Sequence, residues 1–281
     1  MQVHAHPDDE ASKGAAAAAR YAAEGVRTVL VTCTGGEAGD ILNPAADTPE
    51  ARADLPAVRR AELDESARIL GYEAVHLLGY RDSGMPDMEE NKHPDAFANV
   101  PIEEAVARLV ALVRAERPHV MMTYPEDQSY YPHPDHIRCH EVSLAAFEAA
   151  GDPEEYPEAG EPWQPLKLYY MGFTVRYVRA IHQAIVARGG ESPYASRLDA
   201  LTDDIDANFM TRIDVRDFVV LRSRALLAHR TQVAPDSSWF ALPDELRTEV
   251  YPWEDFVLAR THVDTGTPEG EFEEDLFAGL R

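Results

Sequence analysis

From its first residues to about 172 the chain alternates short β-branched or aromatic runs with longer segments rich in Ala, Leu, Arg and Glu. Strands separated by helices must be joined by crossovers, so the alternation predicts a largely parallel sheet flanked by helices, an α/β, Rossmann-like fold. The periodicity places strands at 1–4, 27–33 (RTVLVTC), 74–78, 119–123 and 167–172, with helices over 9–24, 57–70, 101–116 and 134–150. Gly25 and Gly71 are fitting helix stops, and Pro118 closes the third helix. Beyond 172 the alternation gives way to helical patterns, one further strand at 209–214 and a polar tail. With no repeat and no Gly/Ser-rich linker, residues 1–281 are expected to form one domain, an α/β core (1–172) with a mainly helical C-terminal cap (173–281).

Parallel sheets bind ligands at the carboxyl ends of their strands. Three loops at such ends are long, TGGEAGDILNPAADTPEARADLP, GYRDSGMPDMEENKHPDAFANVP and YPEDQSYYPHPDH, and long structureless loops in a compact domain are usually functional. Two strand ends carry nearly the same word: HPDD at 6–9 and HPDH at 133–136. In each, proline suits the first helical turn and restricts the histidine before it, so the histidine lies on the loop and the fourth residue enters the helix. If both turns share one sheet edge, His6, Asp9 and His136 converge as two imidazoles and a carboxylate, a catalytic zinc set. The same donors also suit Fe(II) or another divalent ion. Asp8 is then left beside the ion as general base for the attacking water. His133, oriented by Asp135, is expected as a cationic acid or oxyanion stabiliser. Gly35 and Gly36 make a poor phosphate loop, since no Lys-Ser/Thr follows, but suggest a close backbone approach to a ligand.

Composition narrows the partners. Lys plus Arg number 26 against 50 Asp plus Glu, a formal charge of −24, which argues against nucleic acid or an anionic membrane surface. The two cysteines give no disulfide framework, and neither a signal peptide nor an apolar stretch near 18 residues is present, so a soluble, cytoplasmic protein with a small-molecule substrate is expected. Assembly as a homo-oligomer is left open.

The words HAHPDDE and YPHPDHIRCH resemble the signatures of the PIG-L or LmbE-like zinc-dependent N-deacetylases. The resemblance implies zinc on His6, Asp9 and His136, Asp8 as base, His133 as acid with Asp135 behind it, and Tyr131 near the oxyanion. By similarity to deacetylating members, Arg59 (VRRAEL) and Asp82 (RDSGM) would bind sugar hydroxyls, and Glu37 in TGGEAGD is counted on the substrate side. Longer words, among them SKGAAAAARYAAEG, TGGEAGDILNP and EPWQPLKLYY, are similar to the branch of the family that cleaves mycothiol S-conjugates. Lys13 belongs to that branch and is absent from the biosynthetic deacetylase. It would stand one turn from Asp9 on the same helix face and reach the cysteinyl side of the substrate. One departure is the loop EDQSYYPHPDH, where the family often has a Gly-Gly pair before its tyrosine.

Overall fold

The computed structural model describes residues 1–128, 131–198 and 203–281. Ser129 and Tyr130, in the loop that departs from the family pattern, lie outside the described residues. In chain order the elements are β1 (Gln2–His4), α1 (Asp9–Ser12), α2 (Ala15–Ala23), β2 (Val29–Thr34), α3 (Pro49–Ala53), α4 (Leu55–Leu70), β3 (Ala74–Tyr80) and α5 (Ile102–Glu116). There follow β4 (Val120–Thr123), α6 (Pro134–Ala149), β5 (Lys167–Met171), α7 (Val175–Ala187), α8 (Ala195–Leu198), β6 (Thr211–Asp214), α9 (Val219–Ala228), α10 (Asp244–Val250) and β7 (Trp253–Thr261).

The strands form one sheet in the order β3-β2-β1-β4-β5-β7-β6. The first five are parallel, β7 runs antiparallel to β5, and β6 runs antiparallel to β7. Val3 and Val31 face the side covered by α5 and α6, where Val106, Leu109, Val110 and Phe147 are buried. Leu30 faces the opposite side and packs on Leu63 and Ala67 of α4. Both faces are therefore covered, which is why the parallel strands read as nearly continuous apolar runs. The strand order reverses between β1 and β4, and that switch point opens a crevice beyond the carboxyl ends.

Two expectations are corrected. The single helix over 9–24 is broken: Lys13 is extended (φ −134°) and Gly14 left-handed (φ +69°). A Cβ at Gly14 would lie 2.9 Å from Met171 Sδ and 3.0 Å from Gln2 Nε2, so the break brings backbone against β1 and β5 where a side chain has no room. The freed N–H groups of Ala16 and Ala17 donate to the half-buried Glu254 carboxylate at 3.3 and 2.9 Å. The C-terminal stretch is also more than a helical cap, because β7 joins the sheet beside β5. Its adjacent acids Glu254 and Asp255 hide the strand pattern. Both have partners, the half-buried Glu254 in those amides and the buried Asp255 in Arg212 and Thr174 at 2.9 and 3.1 Å.

Candidate active site

The turns that leave β1 and enter α6 meet at the switch point. His133 accepts the Asp135 N–H on its own Nδ1 at 3.2 Å, capping α6, and Pro134 occupies the first turn, where a missing N–H costs nothing. On the other turn, the Asp9 carboxylate accepts the His6 N–H at 3.0 Å. Asp8 has φ 109°, a strained value for a residue other than glycine, held by its N–H donating to Glu10 at 2.9 Å. Glu10 is itself fixed by Ser66 and by His229 at 2.6 Å.

These turns bring His6, Asp9 and His136 together, all buried, with one ligand atom from each within 4.8 Å of the others. Asp9 Oδ2 lies 3.4 Å from His6 Nδ1 and 3.4 Å from His136 Nε2. Two donors bound about 2.0–2.1 Å from one tetrahedral ion stand about 3.3–3.4 Å apart, so this spacing fits a divalent ion such as zinc. The local field fits as well. Burial disfavours a charged His6, yet hydrogen bonds to Asp135, Asp82 and Asp9 outweigh it and raise the pKa well above the usual value. Burial likewise opposes the Asp9 carboxylate, but His136 and Lys13 hold its pKa well below the ordinary range. A site that draws a proton so strongly also suits a cation.

The remaining sequence-predicted residues divide into those that reach the cluster and those that hold it. Burial pushes the Asp8 carboxyl up to about 6 despite the opposing Arg59 guanidinium, placing it near neutrality as a base requires. Asp135 is corrected: its carboxylate does not pair with His133 but accepts from Ser83 N–H at 3.0 Å, from the Ser83 hydroxyl and from His6 Nε2 at 3.1 Å. It therefore orients a member of the donor set, the usual task of a carboxylate behind such an imidazole. The cationic His133 is corrected too. Burial, and then the nearby His6, pull its pKa down to about 4, so the ring is neutral at pH 7. Because Nδ1 accepts, the proton sits on Nε2, available as a donor. Tyr131 is 49% exposed, with its ring 5.2 Å from His136 and 6.0 Å from His133.

Arg59, expected among sugar hydroxyls, is 3% exposed; it donates to the Pro7 carbonyl at 2.6 Å, to Asp8 Oδ2 at 3.1 Å and to the Gly36 carbonyl. Its contacts position the Asp8 carboxylate, and the Gly36 carbonyl comes close to this guanidinium. Asp82 is buried, its oxygens accepting from Gly84 N–H at 2.8 Å and Ala38 N–H at 3.2 Å, while Glu37 accepts the Asp82 N–H at 2.9 Å. Burial opposes the Asp82 charge, but the adjacent His6 lowers its pKa. Lys13 Nζ donates to Asp9 Oδ1 at 3.2 Å and Ser12 Oγ at 3.1 Å. Sequence reasoning missed Ser83 and Tyr124; the Tyr124 ring stacks 4.4 Å from His136. Both adjoin recognised features, the RDSGM word and the end of β4. Nothing local marks His229, whose partner Glu10 lies 219 residues away.

Helices on both faces of a mainly parallel sheet, with a candidate metal centre and a poised carboxylate at its switch point, define a class of α/β protein equipped for metal-assisted chemistry. The chain belongs to the PIG-L family: the family profile described as PIG-L, GlcNAc-PI de-N-acetylase, matches residues 1–147. It is 44% identical over 289 residues to the mycothiol S-conjugate amidase of Streptomyces coelicolor, spanning 100% of this chain and 97% of that one. It is 40% identical over 291 residues to the 1D-myo-inositol 2-acetamido-2-deoxy-alpha-D-glucopyranoside deacetylase of Geodermatophilus obscurus, again spanning 100% and 97%. In three dimensions it is similar to N,N'-diacetylchitobiose deacetylase from Pyrococcus horikoshii, with a TM-score of 0.63 and 21% identity over 91% of this chain and 81% of that one, a likeness of fold.

Proposed function

We propose that this protein is a metal-dependent hydrolase of amide bonds, acting on the amide between the cysteinyl group and glucosaminyl-inositol of mycothiol S-conjugates and releasing a mercapturic acid. The observation that carries the hydrolase reading is the convergence of His6, Asp9 and His136 with Asp8 beside them. His6, Asp9 and His136 would hold a divalent ion, which when bound would supply Lewis acidity to the amide carbonyl and the attacking water. Asp8 receives the proton of the attacking water, with Arg59 fixing its carboxylate. The neutral His133 donates an Nε2–H hydrogen bond to the oxyanion of the tetrahedral intermediate, and Asp8 passes the proton it took from water to the leaving amine as the C–N bond breaks. Tyr131, at the exposed rim, closes the site over the same oxygen.

The amidase reading over acetyl removal draws on Lys13, which bonds to Asp9 and also lines a cavity between β5, β7 and α9. That cavity is small, about 50 Å³, so Lys13 would meet the acyl side of the substrate where the group passes Asp9 rather than by enclosing it. Deacetylation of N-acetylglucosaminyl-inositol is the second reading, supported by the 40% identical relative. Two measurements separate the levels of this reading. His136→Ala is expected to fold but bind far less metal and lose turnover; normal metal content with normal turnover would refute the donor set. Wild type should hydrolyse a bimane S-conjugate of mycothiol faster than N-acetylglucosaminyl-inositol, and Lys13→Ser should reduce the first activity more than the second. A wild-type preference for the acetylated sugar would leave deacetylation as the function.

A further inference from the structure

The cavity that Lys13 enters is walled by Phe173, Tyr177, Tyr251 and Trp253, and Arg222 of α9 lines it. Arg222 is 5% exposed, and neither terminal nitrogen of its guanidinium has a hydrogen-bond partner among the described residues. Arg247 of α10 also lines the cavity. It donates to the Tyr177 hydroxyl and the Trp239 carbonyl, but its Nε has no hydrogen-bond partner among the described residues. The two acids on the wall are committed elsewhere, Glu254 to the amides of Ala16 and Ala17, and Asp255 to Arg212, Arg176 and Tyr251. Lys13 is committed to Asp9 and Ser12. The Trp239 ring, 5.3 Å from the Arg222 guanidinium carbon, meets its charge but none of its N–H donors.

A buried guanidinium with open donors is costly, and the group that relieves it is an anion with paired acceptor oxygens. The planar fork of arginine matches a carboxylate, and the cavity, about 50 Å³ in volume, has room for that head group, with an apolar or aryl body lying against its aromatic rim rather than inside it. We propose that this cavity is a carboxylate-binding subsite in which Arg222 binds the anion, and that it receives an acidic group on the acyl side of the substrate. The second clause rests on the amidase reading, since Lys13 is what joins the cavity to Asp9; the first clause does not.

The test uses the metal-loaded protein titrated with benzoate, benzamide and inorganic phosphate, read by the fluorescence of Trp239 and Trp253. Benzoate is expected to bind wild type at least about tenfold more tightly than benzamide or phosphate, and Arg222→Met to weaken benzoate by about tenfold or more. Benzamide equal to benzoate in wild type overturns the site without any variant; phosphate equal to benzoate overturns the carboxylate assignment. Benzoate binding unchanged in a folded Arg222→Met would place the anion at the metal cluster instead. In turnover, a 4-carboxybenzyl S-conjugate of mycothiol should exceed its 4-carbamoylbenzyl isostere in kcat/KM by about tenfold, with the ratio collapsing in Arg222→Met. A ratio near one in wild type overturns the substrate clause. If benzoate binds through Arg222 while no mycothiol conjugate is hydrolysed, the amidase reading fails and the carboxylate site stands.

Discussion

Arg59→Met removes the cation that hydrogen-bonds to Asp8 Oδ2 and so tests whether Asp8 is the base. The guanidinium lies 3.1 Å from Asp8 Oδ2, with the arginine side chain 4% exposed and the aspartate side chain 30% exposed. A hydrogen bond to a charged group contributes about 1.5–3 kcal/mol net, and partial exposure of Asp8 favours the lower end. At about 1.4 kcal/mol per pKa unit, losing that bond raises the Asp8 pKa by about one unit. The sign follows from the charge: without its cation the carboxylate is less favoured, so the base stays protonated to higher pH. The acid limb of kcat/KM should therefore move up by about one pH unit, giving about tenfold lower activity below the limb and little change well above it. Arg59→Lys keeps a positive charge and should leave the limb closer to wild type. The assay is a pH–rate profile of amide hydrolysis, with metal content measured alongside and thermal unfolding as a check, because Met also abandons the carbonyls of Pro7 and Gly36. A folded, metal-replete Arg59→Met protein whose acid limb has not moved would refute Asp8 as the group that reports it.

Four further outcomes are expected of other variants. Asp8→Asn should retain metal but lose at least about a hundredfold in kcat, and loss of metal with unchanged activity per bound ion would instead make Asp8 a ligand. Because the folded pKa of Asp8, about 6, lies above its ordinary 3.8, wild type loses stability as pH rises through that interval. Metal-free Asp8→Asn should thus match wild type near pH 4 and exceed it at pH 8, by at most about 3 kcal/mol in denaturant unfolding; equal stability at both pH values contradicts the buried charge. Asp135→Asn should weaken metal binding by about 10- to 100-fold, measured by competition with a chelator, through the lost His6 partner. A shifted alkaline limb at full metal affinity would restore the pairing of Asp135 with His133. Gly14→Ala should cost about 2–4 kcal/mol in thermal or denaturant unfolding, from the left-handed backbone and the contact with Met171, and a neutral effect would show that α1 and α2 can merge.

The parallel core and the place of the site were legible in the sequence because both depend on local patterns. Apolar runs separated by helical segments define buried parallel strands, and a His-Pro-Asp word defines a loop entering a helix. Two such words after the first and fourth strands sufficed to bring His6, Asp9 and His136 into one group. What each side chain does there depends on neighbours distant in sequence. Asp135 turns to His6 and Ser83, Arg59 turns inward to Asp8, and His229 reaches Glu10 across 219 residues. The break at Gly14 comes from crowding by Gln2 and Met171, and β7 is a strand because Glu254 and Asp255 find buried partners. Periodicity reports which residues are apolar, whereas only packing decides which buried charges meet, and that meeting sets the protonation of Asp8 and His133.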